Sequence, residues 1–148
     1  MPRKWMFLAA AMISVGVLTV GVAGADDEDS PLHKLMERVN KKNLAITKGV
    51  RTAPQFKKAQ SEVVTAAEDL TKLAKEAREL GKDTVKKAKD VPNAATKWNE
   101  LMDQFASTSE NLVKVAGMPS AKQEEAKAAH AAVKKACTDC HTIFRIEE

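Results

Sequence analysis

Apolar residues recur three and four positions apart along four stretches of this chain, and Gly or Pro separates each stretch from the next. Such spacing places the apolar side chains of a stretch on one face of an α-helix. Aromatic residues make up 4% of the chain and Tyr is absent, which disfavours a β-rich fold. Because the breaks are short, consecutive helices are expected to be antiparallel neighbours. The sequence therefore predicts an all-α fold, an antiparallel up-down-up-down four-helix bundle.

The predicted helix boundaries follow from capping residues and helix breakers. The four helices are expected to cover residues 30–48, 52–81, 92–117 and 119 to near the C-terminus. Residues 120–123, Ser-Ala-Lys-Gln, have the pattern of a capping box at the start of the fourth helix. Residues 82–90 are Lys-rich and polar, so they are interpreted either as an exposed linker or as a frayed turn of helix.

The N-terminal segment has the layout of a secretory signal. Two basic residues precede the largely apolar residues 5–22, and an A-x-A site ends at Ala25. We therefore predict a cleaved signal peptide at residues 1–25 and a mature domain at residues 26–148, exported to the periplasm and not membrane-bound after cleavage. An uncleaved membrane anchor is the alternative, because the apolar stretch is about long enough to span a bilayer.

The charges of the chain do not suggest nucleic-acid binding. The 24 Lys and Arg residues are interleaved with 20 Asp and Glu residues instead of being gathered into one basic patch. No nucleic-acid partner is therefore expected.

The chain contains two cysteines, and both lie in the sequence Cys137-Thr138-Asp139-Cys140-His141 near the C-terminus. C-x-x-C-H is the attachment motif for c-type haem. Thiols three positions apart share a helix face and can bond to the two vinyl groups of one haem. His141 follows on the same face, where its imidazole can bind the iron. The motif predicts one covalent haem, bound through Cys137 and Cys140 with His141 as the proximal ligand.

Other uses of the cysteine pair are open at this stage. A C-x-x-C pair can perform dithiol chemistry or form a disulfide, although no βαβ pattern accompanies it here. A zinc site would need further ligands, and none is apparent nearby in the sequence.

The second axial ligand is less constrained by the sequence. His130 shares a helix face with His141 but lies roughly 16 Å away along the axis, so it is interpreted as a partly buried or surface histidine. Met36, Met102 and Met118 remain after signal removal, and methionines in apolar stripes are usually core residues.

Residues 135–145, Lys-Ala-Cys-Thr-Asp-Cys-His-Thr-Ile-Phe-Arg, resemble the C-terminal ending of the cytochrome c′ family, the class II cytochromes c, which includes cytochrome c-556. The pattern of the chain is similar to this family from about Ser30 to Glu148. The position of the motif in the last helix matters, because ordinary soluble cytochromes c carry it near the N-terminus. The resemblance implies a four-helix bundle with one haem c and places Arg145 close to the haem.

The family resembled here has two branches. One leaves the distal iron position empty in an apolar pocket and binds NO or CO, whereas the c-556-like branch supplies a Met from the first helix. Leu35-Met36 is similar to the Leu-Met pair of the second branch, which implies that Met36 is the sixth ligand; the alternative is that Met36 shields the pocket without binding iron. Residues 32–34, Leu-His-Lys, lack the Arg-Gln pair frequent in the five-coordinate branch.

The predicted function is an exported mono-haem electron carrier that exchanges electrons with redox partner proteins and is not an enzyme. The alternative is a five-coordinate cytochrome c′-like protein that binds NO or CO. Family resemblance also suggests a homodimer. Four aromatic side chains are expected to pack the haem: Phe56, Trp98, Phe105 and Phe144.

Overall fold

A computed structural model describes residues 30–144 of the chain, and within them five helices occur in sequence. They are α1 (Pro31–Gly49), α2 (Ala53–Leu80), α3 (Lys82–Lys87), α4 (Ala94–Gly117) and α5 (Gln123–Phe144). The four long helices form the predicted bundle, and no strand occurs in the described residues. The predicted signal peptide, residues 1–25, and the predicted haem neighbour Arg145 lie outside the described residues.

The first two long helices begin at polar caps, as their sequence predicts. Ser30 Oγ accepts a hydrogen bond from the backbone N–H of His33 at 3.1 Å, and a proline follows at the first helical position. Thr52 Oγ1 accepts one from the backbone N–H of Gln55 at 3.4 Å. These bonds satisfy donors that the first helical turn leaves without an intrahelical partner.

The start of the last helix differs from its prediction. α5 begins at Gln123 instead of Ser120, and the predicted capping box at residues 120–123 is wrong. Gln123 Nε2 instead donates to the backbone carbonyl of Val50 at 2.6 Å. A tertiary contact therefore occupies the side chain that a capping box would turn back along its own helix.

Residues 82–90, for which the sequence left two interpretations, form the short helix α3 followed by a turn. The helix after it begins at Ala94, two residues later than predicted. Asn93 precedes α4 with a left-handed backbone at φ 52°, a conformation that Asn tolerates better than most residues.

Surface ion pairs show that consecutive long helices run antiparallel. On α1 and α2, Arg38 pairs with Glu76 at 3.1 Å and the later residue Lys42 pairs with the earlier residue Asp69 at 2.6 Å. The hydrogen bond from Lys42 lowers the pKa of Asp69. The same reversal relates α2 to α4, where Lys75 pairs with Glu110 and Arg78 with Asp103. Exposed pairs add little stability. Their order along the chain nevertheless shows that the neighbouring helices run in opposite directions.

The core is built from the apolar stripes of α1, α2, α4 and α5. α1 packs closely on α2, α2 on α4, and α4 on α5, whereas α1 and α5 contact each other sparsely. The largest fully buried apolar side chains are Leu35, Ile46, Val63, Leu70, Leu112 and Val133. Within residues 30–144, no helix combines the length and apolar character needed to cross a membrane.

Candidate functional site

The C-x-x-C-H residues lie in the last two turns of α5. Cys140 is buried and Cys137 is half-buried, whereas His141 is exposed. The two cysteines are not joined by a disulfide. The motif therefore presents two separate thiols on the inward side of the helix and an imidazole next to them.

The surroundings of both cysteines favour the neutral thiol. Burial raises the pKa of Cys137, and burial together with the neighbouring Cys137 raises the pKa of Cys140 to about 11. The C-terminal end of a helix also disfavours a negative charge. Reactive dithiol pairs usually have a lowered thiol pKa, which neither cysteine shows here. In the part of the chain that the structure describes, no group of three or more His, Cys, Asp or Glu residues could hold a metal ion.

Two side-chain hydrogen bonds fix how α5 lies against the first helix. Gln123 donates to the carbonyl of Val50, which directly follows α1, and His130 Nε2 lies 2.7 Å from Asn43 Oδ1. Val50 and Asn43 are seven residues apart, and so are Gln123 and His130. Equal spacing in opposite chain directions is what two antiparallel segments in constant register give. If this register continues for seven more residues along each helix, Met36 and Cys137 lie at one level.

The fold separates the three candidate methionines that the sequence left open. Met36 is half-buried near the start of α1 and packs against the core. Because α1 and α5 are antiparallel, this end of α1 lies at the motif end of the bundle. Met102 is buried within α4, and Met118 is exposed in the turn before α5, at the opposite end of the bundle. Met36 and Met102 therefore both lie in the motif half of the bundle, on α1 and α4 respectively, and Met118 does not.

A family comparison identifies the class of protein. The family model described as Cytochrome C′ matches residues 31–145, which is most of the chain and includes all five helices. The chain belongs to the cytochrome c′ family. Neither a curated protein nor a solved structure matches it significantly. Members of the cytochrome c′ family carry a covalently attached, iron-containing haem c, so this protein is a haem c-type cytochrome.

The residues at the motif end of the bundle fit a haem c group. Trp98, near the start of α4, is buried, and its Nε1–H has no hydrogen-bond partner. Its ring contacts that of Phe144 edge-on, with the ring centroids 5.2 Å apart. Phe144 lies one helical turn after Cys140. A buried donor without an acceptor is costly. The haem of a cytochrome c′ protein carries carboxylate groups that can accept such a bond, and the two free thiols provide its points of attachment.

The same tryptophan explains a glycine at the junction of α2 and α3. A Cβ on Gly81 would lie 2.1 Å from Trp98 Cε2, so a side chain there would overlap the indole ring. The backbone of Gly81 has φ −74°, which any residue can adopt. Gly81 is therefore required by close packing at the motif end of the bundle and not by backbone conformation.

The four aromatic residues expected to pack the haem do not share one location. Trp98 and Phe144 lie at the motif end, and Phe105 is buried halfway along α4. Phe56 is buried in the first turn of α2, at the opposite end of the bundle. The expectation is therefore wrong for Phe56, because α2 runs toward the motif end and Phe56 lies at the start of α2.

His130 is more buried than the sequence suggested. Its side chain is 3% exposed and is paired with Asn43. Burial, and to a lesser extent the positive charge of Lys134, lowers the pKa of His130 to about 4. The imidazole is therefore neutral at pH 7. The sequence did contain a signal, since Asn43 and His130 are polar residues at apolar-stripe positions of the first and last helices.

We predict that the buried imidazole makes the protein less stable in mild acid. Unfolded His has a pKa near 6.5 and binds a proton that the folded form resists, so the free energy of unfolding should fall as pH drops below about 6.5. Between about pH 7.5 and pH 4.5 the contribution is about 2 to 3 kcal/mol, as measured by urea unfolding. His130→Gln should remove this part of the pH dependence. An unchanged pH profile in that variant would contradict the assignment.

Proposed function

We propose that this cytochrome c′ family member is an exported electron carrier whose haem is held through Cys137 and Cys140, with His141 and Met36 as the two axial ligands. The observation that supports the proposal is the register of α1 against α5 at Val50–Gln123 and Asn43–His130, whose continuation would bring Met36 level with Cys137. The bound haem supplies one-electron exchange at its iron. An iron with both axial positions filled by the protein is suited to electron transfer, and its partners would be redox proteins.

Helix geometry supports the reach of both axial side chains. His141 is one turn beyond Cys137, so its Cα lies roughly 6 Å along the axis from the level of Met36. Side chains lean toward the N-terminus of their own helix. Because the two helices are antiparallel, Met36 leans toward the level of His141 and His141 leans toward the level of Met36. The two side chains thus approach one level from opposite sides.

The surrounding residues have supporting roles in this proposal. Trp98 would donate a hydrogen bond to an acidic group of the haem, and Phe144 would pack beside it and limit water access. By family resemblance, Arg145 would supply a cation near the haem. Residues 1–25 direct the chain to the periplasm and are removed, and the mature protein is not an enzyme. A homodimer stays a prediction from the family resemblance.

Absorption spectra of the purified protein in its ferric and ferrous forms, with and without CO, test the proposal. Ligation by both His141 and Met36 gives a low-spin ferric spectrum and slow CO uptake by the ferrous form. A high-spin ferric spectrum with rapid CO uptake would instead indicate an open distal position and the gas-binding alternative. Haem that separates from the denatured protein on extraction with acidified organic solvent would refute covalent attachment.

A further inference from the structure

The seam between α1 and α5 depends on few contacts, and one of them is a polar pair formed by the buried His130 and the half-buried Asn43. Asn43 Oδ1 and His130 Nε2 are 2.7 Å apart, and they join residues separated by 87 positions in the chain. One turn further along each helix lies a fully buried apolar residue, Ile46 on α1 and Val133 on α5. Elsewhere these helices pack sparsely, unlike the other neighbouring pairs.

We infer that the Asn43–His130 hydrogen bond is the positioning contact that holds α1 at the height at which Met36 reaches the haem iron. The inference rests on the proposed ligation by Met36. Asn43 and His130 are positioning residues, because they lie two helical turns from Met36 and Cys137 and act on the iron only through them.

A hydrogen-bonded polar pair fixes the register of two helices more strictly than contacts between apolar side chains do. Apolar side chains can exchange one neighbour for another when a helix slides, at modest cost. If α1 slid by one turn, His130 would lose its partner while staying buried, and an unpaired buried polar group is heavily penalised. Buried polar residues are known to specify register between packed helices in this way.

The chemical state of the pair makes the bond persistent. Burial keeps His130 uncharged at neutral pH, and with Asn43 Oδ1 as the acceptor it is Nε2 that carries the proton. Water has little access to compete, because the side chain of His130 is 3% exposed. Since an α-helix is stiff over two turns, the height fixed at Asn43 is transmitted to Met36.

The test measures CO uptake by the ferrous haem protein, which requires release of Met36 from the iron. Asn43→Ala should raise the rate of CO uptake by about fivefold to tenfold, the effect of losing one typical hydrogen bond. The ferric form should also gain a high-spin component. Asn40→Ala is the matched control, because Asn40 is an exposed asparagine on the same helix. It should leave the rate and the spectrum unchanged.

Two further variants separate positioning from general destabilisation. His130→Gln keeps an N–H donor near the position of Nε2 and should preserve the wild-type rate within about twofold. Asn43→Leu combined with His130→Leu replaces both polar partners by apolar groups, which can leave stability nearly unchanged. This double variant should remain folded by circular dichroism and urea unfolding, yet take up CO faster.

A double-mutant cycle with Met36→Ala completes the test. If Asn43 acts through Met36, Asn43→Ala should not accelerate CO uptake further in the Met36→Ala protein. An equal acceleration in that background would overturn the inference, as would equal rates for Asn43→Ala and Asn40→Ala in a low-spin protein. A wild-type protein that is already high-spin would refute the proposed ligation by Met36, and the inference with it.

Discussion

Replacing both Cys137 and Cys140 with Ser should abolish covalent haem attachment when the protein is produced in cells that attach c-type haem. A thioether needs a cysteine sulfur, and these are the two cysteines in the chain. Each single substitution should leave at most one bond to the haem. Intact-mass spectrometry and haem staining after denaturing electrophoresis measure the adduct directly.

The variant can be compared with a substitution between the two cysteines. The Thr138 hydroxyl donates to the carbonyl of Lys134 at 3.1 Å, and Thr138→Ser retains this bond. That protein should carry the full haem adduct. In the double variant, the serine at position 140 is buried but can donate to a carbonyl one turn earlier, so the helical circular dichroism should be retained. A haem adduct in the double variant, or none in the wild type, would refute attachment at this motif.

Met36→Ala should convert the ferric protein from low-spin to high-spin and open the distal position to CO. Removal of the thioether leaves the iron with one protein ligand, His141, and a Met/His ligand pair is a known cause of a raised potential. The reduction potential should therefore fall, on the order of 0.1 V within the roughly 0.8 V range that axial ligands span. CO uptake by the ferrous form should accelerate by at least about tenfold.

Met118→Ala is the matched control for this variant. Met118 is 45% exposed at the opposite end of the bundle, so its truncation should change neither the spectrum nor the potential. Met36 is half-buried, and its truncation should cost about 1 to 2 kcal/mol of stability, which leaves the bundle folded. A low-spin spectrum that survives in Met36→Ala would show that another group binds the iron.

The sequence predicted the helical bundle well because the signals for it are local. The caps of α1 and α2, Ser30 and Thr52, act within their own first turns, and the glycines near the helix ends lie close to where they were expected. The start of α5 was wrong because the side chain of Gln123 is used by a residue distant in sequence, Val50. A capping pattern cannot show that its side chain is already engaged elsewhere.

The candidate site divides in the same way. Cys137, Cys140 and His141 are neighbours on one helix, so their shared face follows from helical spacing alone. Phe56 was expected to pack the haem because, like Trp98, it is an aromatic residue in an apolar helix stripe. Only the direction of α2 in the fold places the two at opposite ends of the bundle. Burial of His130 was underestimated because its partner, Asn43, lies on the first helix.

By itself the sequence determined the helical class of the protein, the cysteine pair with its adjacent histidine, and the resemblance to the cytochrome c′ family, since periodicity and motifs are written in neighbouring residues. The tertiary structure decided how the first and last helices lie against each other and which end of the bundle each methionine occupies. Those facts depend on the register between the first and last helices, which is fixed by the contacts of Asn43 with His130 and of Val50 with Gln123. Register is set by contacts between residues that are distant in sequence, so no local sequence pattern specifies it.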